Sequence, residues 1–129
     1  MAIRGLLVVW GLLLMASPVW AEDCPTLDHQ EVETLLTKAP SCDRSMALFE
    51  ACEFGTSGDI SFGEIVIKKC EDVFLNRLST AGRRTYERRI KACWHKYAKE
   101  DGTMYRSFEA FCAAGIAQRY AHDAGKAKK

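Results

Sequence analysis

Ser79-Thr80-Ala81-Gly82-Arg83-Arg84-Thr85-Tyr86-Glu87-Arg88-Arg89-Ile90-Lys91-Ala92-Cys93-Trp94-His95-Lys96-Tyr97 is the stretch that declares the fold. Its large apolar residues, Tyr86, Ile90, Cys93, Trp94 and Tyr97, recur three or four positions apart over three turns. That spacing puts them on one face of an amphipathic helix. Ser79 or Thr80 can cap its start, and the pattern carries it to about residue 100. Gly102 suits the stop and Thr103 the cap of a following helix, whose stripe is Met104, Phe108, Phe111, Cys112, Ile116 and Tyr120.

Working back toward the N-terminus, Ser61-Phe62-Gly63-Glu64 reads as a capping box, with Ile60 and Ile65 in staple positions. It opens a third helix lined by Val66, Cys70, Val73, Phe74 and Leu78. A shorter second helix is predicted over residues 41–53, with Ala47, Leu48, Phe49 and Cys52 available for burial. In the first, Asp28 caps, Glu31 reaches back, Leu27 packs on Val32, and Pro40 ends the helix. No run alternates apolar and polar residues as a strand would. The expected fold is all-α, a disulfide-stapled antiparallel bundle of four to five helices with short connections.

The chain has 129 residues, 48% hydrophobic and 27% charged, values that exclude a wholly disordered or polytopic membrane chain. Arg4, an apolar run over residues 5–15 and Val19-Trp20-Ala21 before Glu22 make residues 1–21 read as a secretory signal peptide. The run is too short for a membrane span, which needs about 20 apolar residues. The expected product is periplasmic or secreted, with no stable membrane insertion after cleavage. It consists of one helical domain over residues 22–124 and a flexible basic tail over 125–129.

In that oxidising setting the six cysteines, Cys24, Cys42, Cys52, Cys70, Cys93 and Cys112, read as three disulfides out of fifteen possible pairings. Zinc is disfavoured because C-x-x-C is absent, and haem attachment because C-x-x-C-H is absent. A hairpin turning at Asp101-Gly102 brings Cys93 and Cys112 level, so that bridge is the first expectation. For the other four the reading leans to Cys24–Cys42 and Cys52–Cys70.

Catalytic chemistry finds little footing. His29, His95 and His122 are scattered, and no G-x-S-x-G, H-E-x-x-H, phosphate-binding glycine loop or calcium loop occurs. We expect no enzyme, no catalytic residue, no metal and no cofactor. Tyr86, Trp94 and Tyr97 are better read as core than as a ligand pocket. The basic run Arg83, Arg84, Arg88, Arg89 and Lys91 reads first as a solvated face and second as an anion-binding surface. Nucleic acid is not an expected partner of an exported domain with no further basic motif.

Charge is unevenly placed. Residues 22–75 hold 12 acidic and 4 basic residues, net −8, while residues 76–129 hold 5 acidic and 13 basic, net +8. Either the halves pack together or the acidic half faces a basic protein partner. The loop with Gly55, Thr56, Ser57, Gly58 and Asp59 lies in the acidic half. Thr56, Ser57, Gly58 and Asp59 are the candidate contact residues, with a plain connector as the alternative.

Several stretches carry a likeness. They are Cys70-Glu71-Asp72-Val73-Phe74-Leu75-Asn76, Arg83-Arg84-Thr85-Tyr86, Ala92-Cys93-Trp94-His95-Lys96-Tyr97, Gly102-Thr103-Met104-Tyr105-Arg106-Ser107 and Cys112, in that order. The chain from about residue 52 to 120 thereby resembles the LprI-type lysozyme-inhibitor domain family of small exported bacterial proteins. That family carries Leu-Asn in one helix, Arg then Trp-x-x-Tyr in the next, and a Gly-rich join to a cysteine-bearing last helix. This chain departs in placing Cys93 before Trp94 and Gly82 in a helical first turn, and residues 24–50 have no counterpart. The resemblance implies a helical binding protein that occludes a basic lysozyme by surface contact. The alternative is a structural or assembly protein of the bacterial cell envelope with no enzyme target. A metal or small-ligand carrier stands third.

Overall fold

The computed structural model describes residues 22–127; the expected leader, 1–21, and the last two residues of the expected tail lie outside the described residues. Five α-helices follow one another: α1 (His29–Lys38), α2 (Cys42–Cys52), α3 (Asp59–Phe74), α4 (Thr80–His95) and α5 (Thr103–Lys126), with a 3₁₀ turn at Leu75–Arg77. The described residues contain no strand.

Three helix starts follow from local side-chain chemistry. Asp28 accepts from the Glu31 N–H at 2.9 Å, Ser41 from Arg44 N–H at 3.1 Å, and Ser79 from Gly82 N–H at 3.0 Å. Each satisfies one of the backbone donors that a helix leaves unpaired in its first turn. α1 departs from the expected box, because Glu31 accepts from the Thr26 hydroxyl and Thr26 in turn receives the Asp28 N–H. Leu27 is 85% exposed, so no staple forms on Val32. α4 stops at His95, short of residue 100, and turns through to Gly102, whose φ of 114° reverses the chain into α5. α5 runs on through Gly125 and Lys126, into the segment expected to be tail.

α3 is the central helix: α1 and α2 pack on it and on each other, and α5 lies along it, while α4 packs on α5. Val32, Leu36, Phe49, Phe62, Val66, Phe74 and Tyr86 are the large buried side chains. Phe49 stacks on Phe111 with ring centres 4.0 Å apart, and Phe74, Tyr86 and Tyr120 form a second aromatic cluster.

The buried face of α5 differs from the expected stripe. Met104 is 50% and Phe108 44% exposed, while Ser107, Ala110, Ala113, Ala114, Ala117 and Ala121 are buried. The reason is how closely α3 and α5 approach. A Cβ placed on Gly63 of α3 would sit 3.0 Å from the Ala110 Cβ. At that separation only a small residue fits where Gly63 meets Ala110, while Ile116 of α5 is buried elsewhere along the helix.

The disulfides are Cys24–Cys52, Cys42–Cys70 and Cys93–Cys112. The hairpin expectation for Cys93–Cys112 agrees; Cys24–Cys42 and Cys52–Cys70 are corrected. α2 and α3 form a second hairpin around residues 53–58, so Cys42 near its open end stands level with Cys70, their Cα atoms 4.6 Å apart. Cys52, at the closed end of that hairpin, is left to hold the N-terminal segment through Cys24.

Candidate functional site

The loop between α2 and α3 is where the structure adds most to the sequence. It leaves α2 at Glu53 and turns at Gly55, whose φ of 68° lies in the left-handed region. Nothing lies within 4 Å of a Cβ built there, so conformation rather than crowding explains the glycine. Asp59, the first residue of α3, then reaches back across the loop. Its Oδ1 accepts from Phe54 N–H at 2.8 Å. Its Oδ2 accepts from Gly55 N–H at 2.9 Å and from the Ser107 hydroxyl at 2.6 Å. A carboxylate with no solvent exposure is thus fully partnered by donors from the loop and from α5. Its place in the first turn of α3 is also favourable to negative charge.

Further contacts brace the same loop. The Asp59 N–H bonds Thr56 O at 3.1 Å and the Ile60 N–H bonds Ser57 O at 3.2 Å. The His29 ring stacks on Phe62, 4.6 Å between centres, and on Phe54 at 6.1 Å. Its Nε2 lies 3.1 Å from Gly58 O and 3.3 Å from Ser61 Oγ. Ser61, expected as a helix cap, lies inside α3 and donates back to Gly58 O at 3.2 Å. Cys24–Cys52 ties the N-terminal segment to the foot of the loop.

The four residues singled out from sequence therefore separate. Thr56 and Ser57 are exposed at the tip and Gly58 is half-buried. Asp59, expected in the exposed loop, is buried instead and anchors the loop from inside. Sequence reading missed the Asp59–Ser107 bond because its partners are 48 residues apart.

The surroundings are acidic. Asp28, Glu31, Glu50, Glu53 and Glu64 are all exposed on α1–α3 or the adjoining segments. Partial desolvation of its carboxyl, and then the charges of Asp59 and Glu50, push the otherwise exposed Glu53 above its ordinary value. Like charges are held together here at some cost to stability. The basic half does not neutralise them. Among the described residues, the acid–base contact that joins the two halves is the hydrogen bond of His122 to Asp43, whereas the ion pairs Glu22–Arg44 and Arg106–Glu109 each lie within one half.

The remaining candidates are spread over the bundle. His29, His95 and His122 belong to α1, α4 and α5, and His122 is paired with Asp43, which also accepts from Gln118 at 2.8 Å. All six cysteines are paired, and no group of three or more His, Cys, Asp or Glu at metal-holding geometry occurs among the described residues. Tyr86 is core, donating its hydroxyl to Glu71 Oε1 at 2.7 Å, while Trp94 and Tyr97 are half-buried. Burial and the Glu71 carboxylate drive the Tyr86 phenol far above its ordinary value. No helix is long and apolar enough to cross a membrane among the described residues. Comparison with protein families, curated proteins and solved structures returns no match to this chain.

Proposed function

We propose that the chain is an exported, non-catalytic binding protein whose braced loop and acidic face occlude a basic protein. A basic lysozyme is the target class that the family resemblance implies. One observation carries the reading: Asp59 spends a buried carboxylate on holding residues 54–58 in one shape. A loop already ordered in the free protein loses less entropy on binding, so its contacts convert more fully into affinity. Exposed carboxylates around it supply steering toward a positive surface. Three disulfides support an oxidising compartment.

The test is lysozyme turnover and direct binding at low ionic strength and again at about 0.5 M salt, where the screening length falls toward 3–5 Å. Inhibition that weakens with salt, and that drops at least tenfold in Thr56→Arg or Ser57→Arg without loss of fold, is the expected result. Unchanged turnover at low ionic strength rejects the lysozyme target. The segregation of charge also favours the envelope-assembly reading. Crosslinking in an envelope extract free of lysozyme separates the two, since only that reading expects a captured partner there.

A further inference from the structure

α4 uses its cations in two ways. Arg83 donates to Leu75 O at 3.1 Å, and the guanidinium of the exposed Arg89 lies 5.8 Å over the Tyr120 ring, so each has an intramolecular partner. The second set is Arg84, Arg88 and Lys91, a row that His95 continues, and all four side chains are exposed. Their spacing of four, three and four residues makes a single straight row, about 16 Å long at 1.5 Å per residue. The row lies on the side of α4 opposite Tyr86 and Cys93, the residues that face the core. Arg88 also donates to Thr85, but none of the four forms an ion pair among the described residues. Glu87 is the one acidic residue of α4.

Trp94 borders this row. It lines one shallow cleft with Tyr86, Glu87, Ile90, Lys91 and His95 of α4 and Glu71 of α3. Glu71 is occupied by the Tyr86 hydroxyl. Trp94 is half-buried, with one side of its ring against the core and the rest open to solvent.

The geometry points to an anionic phospholipid surface as the partner of this face, with the cationic row on the headgroup phosphates and Trp94 settling at the interface. A rigid row of cations with an amphipathic aromatic ring at its edge matches a plane that is charged outside and apolar just beneath. A soluble polyanion would use the cations alone, whereas a membrane surface also engages the outer edge of Trp94, whose inner side packs against the core. Docking is peripheral, since no described helix can span a bilayer. The loop at 54–58 is braced by α1, α3 and α5 and not by α4. This inference stands apart from the lysozyme reading, because it concerns the other half of the charge.

The test uses the protein expressed from the full chain and vesicles of phosphatidylcholine with or without an equal part of phosphatidylglycerol, in about 0.05 M salt. Co-sedimentation reports binding. The emission of Trp94, isolated by subtracting the spectrum of Trp94→Phe, reports its surroundings. We expect binding only to the anionic vesicles, a blue shift of Trp94, and a partition coefficient about thirtyfold lower in Arg84→Gln/Arg88→Gln. The double variant should keep the wild-type melting temperature. Absence of binding to anionic vesicles overturns the inference. So does binding that survives the double variant, binding with no shift of Trp94, or equal affinity for soluble polyphosphate.

Discussion

Replacing Asp59 is the sharpest way to probe the loop. In Asp59→Ala, three donors lose one acceptor: the Phe54 and Gly55 N–H groups and the Ser107 hydroxyl. The two backbone groups lie near the surface, where water can reach them, so each loss costs about 1 kcal/mol. The Ser107 hydroxyl is buried, and stranding it costs about 1–3 kcal/mol. The total is about 4 kcal/mol. With an unfolding entropy of about 2.1 cal/mol/K per residue, a domain of this size should melt about 15–20 °C lower. Asp59→Asn keeps the shape and discriminates further. Ser107 can turn and accept from the amide, yet whichever way the amide points, one backbone N–H meets another N–H. About half the loss is expected. Urea unfolding gives the free energies, and hydrogen exchange at the Phe54 and Gly55 amides gives the local effect. Both amides should lose protection, and the binding proposed above should weaken although Thr56 and Ser57 are untouched. Stabilities of both variants within about 0.5 kcal/mol of wild type, or unchanged exchange at the two amides, would refute the anchoring role.

Three further outcomes are expected. Gly63→Ala should destabilise by about 1 kcal/mol, because the clash with Ala110 exceeds the helical gain, whereas Gly115→Ala, with nothing within 4 Å, should stabilise by about 0.5–1 kcal/mol. Paired thermal melts read the opposite signs. The Asp43 carboxyl is held below its ordinary value by the Gln118 hydrogen bond first and His122 second. Its contribution is therefore present above the usual carboxylate range and is lost as pH falls through the lower folded value. Wild type and Asp43→Asn should differ by less than about 1 kcal/mol at pH of about 6 and converge below a pH of about 3, in urea titrations across pH. Peptide mapping without reduction should recover Cys24–Cys52, Cys42–Cys70 and Cys93–Cys112, and Cys42→Ala/Cys70→Ala should lose about 3–4 kcal/mol.

What was readable along the chain was what is local along the chain. The caps at Asp28, Ser41 and Ser79 join residues three apart, so the starts of α1, α2 and α4 lie on the page of the sequence. The same holds for the helical class and for Cys93–Cys112, two cysteines level across one turn. Cys42–Cys70 obeys the same rule around residues 53–58, but pairing by sequence order hid it. Of the candidate site, Thr56 and Ser57 were identified as exposed, while the inward role of Asp59 was not.

Other features depended on which helices meet. Periodicity ranks side chains by size, and it placed Met104 and Phe108 inside. The close approach of α3 to α5 at Gly63 and Ala110 sets instead a buried face made mostly of alanine, with Met104 and Phe108 exposed. The grip of Asp59 on its loop needs Ser107, which only the packing of α5 supplies. The imbalance of −8 against +8 was a fact of the sequence by itself. That its two signs stay mostly apart, acid on α1–α3 and base along the outer row of α4, was decided by tertiary structure. A helix face can be neutralised only by what packs against it, and α4 turns Tyr86 and Cys93 inward while leaving Arg84, Arg88 and Lys91 to solvent.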